Sequence, residues 1–288
     1  MPASSIDRST YLARLGYAAS PAPTLATLRE LQRRHTATFA FETIACMLGE
    51  PVPVDMPSLQ RKLLHDGRGG YCYELNRLFF ALLRDLGFQA RSIAGRVLMG
   101  GAEDDLPART HMALLVAVDG VDHLVDVGFG GMVPTAPLRL DVREPQFTPH
   151  EQYRLDLRDD GYLLRARIGD EWRAMYVFDL QPQADIDHVV GNWYVSTHPD
   201  SPFQGELFVA RTGEGLRRTL NNTSFAVHRT HAPSLRRELA GPDEVLAVLE
   251  DEFGLRLPAG RALRDAIARK FDANPGATAA SRAGGPTH

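Results

Sequence analysis

The chain has 288 residues, 32 of them basic and 36 acidic, for a formal net charge of -4, with 44% hydrophobic and 24% charged residues. This is the composition of an ordinary globular protein with two or three subdomains around a continuous core, and it excludes disordered, collagenous and membrane classes. The near balance of charge gives no electrostatic reason to expect a nucleic-acid partner.

The first ten residues lack the basic-then-apolar layout of a signal peptide. No apolar run approaches the roughly 18 residues that a membrane span needs. A cytoplasmic protein with no membrane partner is the expectation. In the N-terminal third, Thr24 to His35 places Leu25, Leu28 and Leu31 on one side of a helix, and Ser58 to His65 does the same with Leu59, Leu63 and Leu64. A third helix opens near Tyr71, carries Leu75, Leu78, Phe79, Leu82 and Leu86 at helical spacing, and stops at Gly87. A helical bundle follows from these.

From Gln89 the period changes. Arg91 to Leu98, Met112 to Val118 and Val121 to Val127 are apolar and β-branched, and Asp119-Gly120 is a strong two-residue hairpin signal. Gln152 to Leu157, Tyr162 to Ile168 and Trp172 to Phe178 are further strands, with Asp160-Gly161 and Gly169-Asp170 as turns. An antiparallel meander or small barrel accounts for them. Strands at Leu207 to Ala210 and Ser224 to His228 precede helices at Asp243 to Glu252 and Ala259 to Phe271, a mixed α/β end. Residues 275–288 lose all periodicity and read as a disordered tail.

Only two cysteines occur, too few for a disulfide framework or a cysteine-based zinc site. Cys72, in Arg68-Gly69-Gly70-Tyr71-Cys72-Tyr73-Glu74-Leu75-Asn76, falls in the first turn of the third helix, where free N–H groups and the macrodipole favour negative charge on sulfur. The two glycines allow a sharp turn and open access for a substrate. Cys46, among apolar neighbours, reads as core.

A reactive thiol needs a base, and the base an orienting group. If Asp119-Gly120 is a two-residue loop, Val118 opposes Val121, so His111 opposes Gly128 and Ala113 opposes Asp126. His111 and Asp126 then share a face as diagonal neighbours, about 7–8 Å apart along the backbone and within side-chain reach. Both faces of this hairpin are apolar, so it is buried on both sides, and a buried Asp126 requires a donor. His123 faces the other way. His35, His65, His150, His188, His198, His228, His231 and His288 have no such partner and read as surface residues. No H-x-x-x-H or C-x-x-C supports a metal site. Gly128-Phe129-Gly130-Gly131 precedes no helix and is too weak for a dinucleotide fingerprint, but its bare backbone follows Asp126 and would admit an elongated cofactor.

Arg68-Gly69-Gly70-x-Cys72-x-Glu74-x-Asn76, Thr110-His111 and Val125-Asp126-Val127-Gly128-Phe129-Gly130 occur in the order and spacing of the arylamine N-acetyltransferases, which the chain resembles from about residue 6 to 270. Phe41-Glu42 resembles the family's Phe-Glu-Asn element, with Thr43 in place of Asn. Asn192-Trp193-Tyr194, Pro199 and Ser201-Pro202-Phe203 resemble a later segment. The resemblance implies an α+β fold. A helical bundle over 1–88 would carry the nucleophile, an antiparallel β-barrel over 89–200 the His and Asp, and an α/β lid would follow over 201–274, around a cysteine-protease-like Cys-His-Asp core.

It also implies acetyl-CoA as donor and aromatic amines or hydrazines as acceptors. Cys72 would be the nucleophile, His111 its base and Asp126 the orienter. Arg68, Glu74 and Asn76 would be structural supports. Phe41, Phe129 and Phe203 would line the acceptor pocket, and Thr110, Gly130, Gly131 and Phe203 would lie near the cofactor. A thiol hydrolase or transglutaminase-like enzyme, an amide synthase of the same family, and a binding domain with a dead triad remain as alternatives.

Overall fold

A computed structural model describes residues 5–18, 21–230 and 232–273. The chain opens with α1 (Arg8–Arg14), α2 (Leu25–Thr38), a short strand β1 (Phe41–Glu42), α3 (Ile44–Leu48) and α4 (Met56–Leu59). α4 runs into a π-helical turn (Gln60–His65), and α5 (Cys72–Asp85) follows. α1, α2 and α4 start where side-chain oxygens accept orphan amides: Asp7 from Thr10, Thr24 from Thr27 and Asp55 from Ser58. α5 ends before Gly87, which takes the left-handed conformation at φ +85°. Leu28 and Leu31 of α2 pack with Leu75, Leu78, Phe79 and Leu82 of α5 in the helical core.

The middle of the chain forms an eight-stranded antiparallel sheet. Its strands are β2 (Gln89–Val97), β3 (His111–Val118), β4 (Val121–Val125), β5 (Leu138–Arg139), β6 (Gln146–Phe147), β7 (Gln152–Arg158), β8 (Gly161–Ile168) and β9 (Glu171–Phe178). They lie in the order β5-β4-β3-β2-β9-β8-β7-β6. The sheet curls until its two edge strands meet, bridged by the Gln146 side chain, which donates to the Arg139 carbonyl at 2.9 Å and accepts from its N–H at 2.8 Å. Ala113, Leu115, Leu124, Tyr153, Leu164 and Tyr176 fill the interior. Met112, Leu114, Val116, Val125 and Val127, on the other face of the β3–β4 hairpin, join the helical core. The hairpin is therefore buried on both sides, as its composition predicts.

α6 (Asp185–Thr197) leads to a second sheet of β10 (Phe208–Gly213), β11 (Leu216–Asn221), β12 (Ser224–Arg229) and β13 (Ala232–Glu238), covered by α7 (Pro242–Asp251) and α8 (Ala262–Ala273). β1 pairs antiparallel with β10, Phe41 opposite Ala210, so an N-terminal strand completes the C-terminal sheet. Phe41 also forms a parallel bridge with Gly70. One short strand thus ties the second sheet to the loop before α5.

The structure adds α1, α3, α6, β1, β5, β6, β11 and β13 to the predicted elements and moves one turn: Arg158 pairs with Gly161, so the loop is Asp159-Asp160 rather than Asp160-Gly161. Two histidines read as surface residues are buried. His35 packs between Tyr11, Phe39 and Phe79, and His188 lies on the buried face of the helix over Asp185–Thr197, against Tyr73. His150, His198 and His228 are half-buried, and His65 is exposed. His231, His288 and the predicted tail lie outside the described residues.

Candidate active site

Tyr71 caps α5 and Cys72 is its first residue. Glu74 reaches back one turn to accept the Tyr71 N–H at 3.1 Å. Neither of the preceding glycines has a positive φ, so their role here is read from the space around them. A Cβ on Gly69 would stand 2.3 Å from the Ala40 carbonyl oxygen and 2.8 Å from Glu42 Cγ, and one on Gly70 would stand 2.9 Å from the Glu74 carboxylate. Their bareness makes room for two buried carboxylates beneath the loop. Arg68 donates to Glu42 at 3.1 Å, and Lys62 to Glu74 at 2.6 Å.

The hairpin has the inferred register. Val118 opposes Val121, and Asp119 and Gly120 have φ of 51° and 77°, the paired positive values of a type I′ turn. The ladder ends at Leu114 opposite Val125, so the extrapolated pairs of Ala113 with Asp126 and His111 with Gly128 lie beyond it. The side chains still meet. His111 Nε2 lies 2.7 Å from Asp126 Oδ2. His123, opposite Val116, faces the other way as expected.

Asp126 is fully buried and accepts three more hydrogen bonds: from Tyr176 Oη at 3.0 Å, Asn76 Nδ2 at 3.0 Å and the Gly128 N–H at 2.9 Å. Asn76 also donates to the Met112 carbonyl at 2.7 Å and accepts the Val127 N–H at 3.0 Å, tying the helix that carries Cys72 to both arms of the hairpin. Gln32 Nε2 donates to the Asp126 and Pro134 carbonyls. Burial opposes charge on both members of the His–Asp pair. Against it, the Asp126 charge and hydrogen bond, with the Cys72 sulfur as a further partner, hold His111 up at about 10. The His111 cation, Asn76 and Gly128 hold Asp126 below the ordinary carboxylate range despite its burial.

Cys72 is 4% exposed, and its thiol donates to the Thr110 carbonyl at 3.8 Å. The hairpin backbone presses on it, since a Cβ on Gly128 would stand 2.7 Å from Cys72 Cα. Cys46 behaves as core: burial pushes its thiol up to about 12.

Phe41, Phe129 and Phe203 are half-buried. Phe129 meets the His111 ring edge-on at 5.1 Å, and Phe203 meets both Phe41 and Tyr71 at 5.9 Å. Gly130, at φ +72°, lies against the Phe41 ring, and a Cβ on Gly131 would stand 3.0 Å from the Thr219 methyl. Part of the glycine run therefore accommodates the protein itself. Thr43, where the family motif has Asn, stitches β1 to the second sheet by donating to the Glu206 carbonyl at 2.8 Å and accepting the Phe208 N–H at 2.9 Å. A groove of about 250 Å³ lined by Arg96, Arg109 and Arg158 includes none of the triad.

Three residues around the site escaped the sequence reading: Gln32 and Tyr176 contact Asp126 from distant elements, and Lys62 sits beside Glu74. Asn192, singled out in its Asn-Trp-Tyr segment without a role, accepts the Tyr71 hydroxyl through its side chain.

An N-acetyltransferase family model matches residues 24–262. Over 275 residues the chain is 40% identical to the arylamine N-acetyltransferase of Mycolicibacterium smegmatis, covering 93% of this chain and 99% of that one. The chain belongs to the arylamine N-acetyltransferase family. Another arylamine N-acetyltransferase relative, the arylamine N-acetyltransferase / N-hydroxyarylamine O-acetyltransferase of Salmonella typhimurium, is 39% identical over 249 residues, 85% of this chain and 87% of that one. The structure of the Mycobacterium marinum arylamine N-acetyltransferase in complex with CoA superposes with a TM-score of 0.87 at 40% identity, covering 91% of this chain and 99% of that one.

Proposed function

We propose that the chain is a cytoplasmic enzyme that moves an acetyl group from acetyl-CoA to the nitrogen of arylamines or arylhydrazines, with Cys72 as acyl carrier, His111 as proton carrier and Asp126 as orienting carboxylate. The observation that carries this reading is the His111–Asp126 pair at 2.7 Å, buried beside the first residue of α5 and backed by three further donors to the carboxylate. Residues 1–88 supply the nucleophile, 89–200 its base and orienter, and 201–274 contribute Phe203.

The raised His111 basicity favours an imidazolium facing a thiolate. The thiolate attacks the thioester carbonyl carbon, and a backbone N–H near the start of α5 stabilises the oxyanion. Collapse expels the CoA sulfur, which takes the imidazolium proton. The arylamine, neutral at physiological pH, attacks the acetyl-cysteine while His111 removes its proton. Expulsion of the Cys72 thiolate restores the ion pair.

Burial of Cys72, with Phe129 against His111 and Phe203 against Phe41 and Tyr71, favours transfer to an amine over transfer to water. Steady-state kinetics with both substrates varied tests the cycle. Parallel double-reciprocal lines are expected. Intersecting lines, which require both substrates bound together, are incompatible with an acyl-enzyme.

A further inference from the structure

Asp126 lies past the end of both ladders of β4: the pairing with β3 stops at Leu114 opposite Val125, and the pairing with β5 at Leu124 opposite Leu138. Side chains from two helices serve the backbone there instead. Asn76 of α5 accepts the Val127 N–H at 3.0 Å, and Gln32 of α2 donates to the Asp126 carbonyl at 3.2 Å. Gln32 Nε2 also donates to the Pro134 carbonyl at 2.8 Å, so a single amide holds both ends of the segment from Asp126 to Pro134. Phe129 and the short helical turn over Gly130–Met132 lie between those ends.

The other holds on this segment each fasten one limb of it to one element. Asn76 takes the near limb, while on the far limb Tyr153 donates to the Met132 carbonyl at 3.0 Å and Arg217 to the Val133 carbonyl at 2.8 Å. Gln32 joins the two limbs to each other. Its side chain is fully buried, and its Oε1 has no hydrogen-bond partner among the described residues. A buried acceptor left unpaired is unfavourable, and an apolar residue of the same length would avoid it. Turning the amide over gives no relief, because Oε1 would then face two carbonyl oxygens. The orphaned oxygen is what the grip on both carbonyls requires.

We infer that Gln32 is a positioning residue for Phe129: by closing the neck of this segment it fixes where that ring stands against the His111 ring, at 5.1 Å, and so where an aromatic acceptor is held for attack. This rests on Cys72 as the acyl carrier and on Phe129 as a wall of the acceptor pocket. Without the grip, the Asp126 carboxylate keeps its hydrogen bonds with His111, Tyr176, Asn76 and the Gly128 N–H, so the triad stays assembled.

The test starts from acetyl-Cys72 and compares its discharge by an arylamine with its discharge by unsubstituted hydrazine, which attacks the same carbonyl carbon but has no ring for Phe129 to place. In each reaction an N–C bond replaces the S–C bond, and the proton lost by the nitrogen returns to the Cys72–His111 pair. In Gln32→Met the arylamine reaction slows about tenfold and the hydrazine reaction changes less than about twofold, as expected for a misplaced ring beside intact chemistry. Gln32→Met adds no further loss in a Phe129→Leu background, because both changes act on the same ring.

Equal slowing with both acceptors, arylamine discharge at the wild-type rate, or losses that add across the two substitutions overturn the inference. Should Gln32→Met not fold, Gln32→Asn, whose amide is drawn back from both carbonyls by one methylene, carries the same comparison. Failure of the underlying readings shows separately: no acetyl-Cys72 in the wild-type protein for the acyl carrier, and an unchanged arylamine rate in Phe129→Leu for the wall.

Discussion

Asn76 Nδ2 donates to Asp126 Oδ1 at 3.0 Å, joining the helix of the nucleophile to the hairpin of its base through one buried amide. The same side chain makes two backbone hydrogen bonds to the hairpin, so Asn76→Ala strands an acceptor, a donor and part of a carboxylate shell. The expected loss is roughly 2–4 kcal/mol of stability, with a fall in kcat/KM, measured by urea unfolding and steady-state kinetics. A change under about 0.5 kcal/mol would contradict this assignment.

Gly128→Ala acts by displacement. Its new methyl would meet Cys72 Cα at 2.7 Å and Asn76 Nδ2 at 2.8 Å, forcing helix and hairpin apart. Activity is expected to fall about a hundredfold, the scale of an ångström-sized misplacement of reacting groups. Its unfolding temperature should fall as well, because the same methyl overpacks the buried contact and displaces the Asn76 amide, and wild-type turnover would show that the two elements tolerate separation.

The ion pair gives stability a defined pH window. His111 is raised from 6.5 to about 10, so its contribution is full below pH 6.5, declines above it and is gone once pH passes about 10. Asp126 is depressed below 3.8, so its contribution is present above that value and fades as pH falls through the lower folded pKa. The difference in unfolding free energy between wild type and His111→Asn should therefore shrink from neutral toward pH 10. A difference constant over that range would remove the charge on His111 from the account.

His188 predicts the opposite slope. Burial and Arg77 push its imidazole down to about 4, so the unfolded chain takes up a proton below 6.5 that the folded chain refuses until about 4. Its Nε2 is buried without a partner. His188→Leu should thus gain stability relative to wild type as pH drops from 6.5 to 4, read as a widening gap in Tm. Parallel Tm curves would count against a neutral buried His188.

What could be read in advance follows from the range of the forces involved. The β3–β4 register was legible because Asp119-Gly120 sets the turn locally and side-chain parity carries that information to His111 and Asp126. α6 was not, because its pattern is inverted: Ile186, Val189, Val190 and Trp193 are exposed, while His188, Asn192 and Ser196 are buried. β11 hides an arginine, since Arg217 is buried against Glu151 and the Val133 carbonyl. Gln32 and Tyr176 reach Asp126 across 94 and 50 residues, and no local rule announces them.

The central claim is that Cys72 carries the acetyl group. Incubating the protein with acetyl-CoA and no acceptor should add one acetyl group to the peptide that contains Cys72 and none to the peptide that contains Cys46, and adding an arylamine should remove it. Absence of acetyl-Cys72, or full transferase activity in Cys72→Ala, would contradict the account.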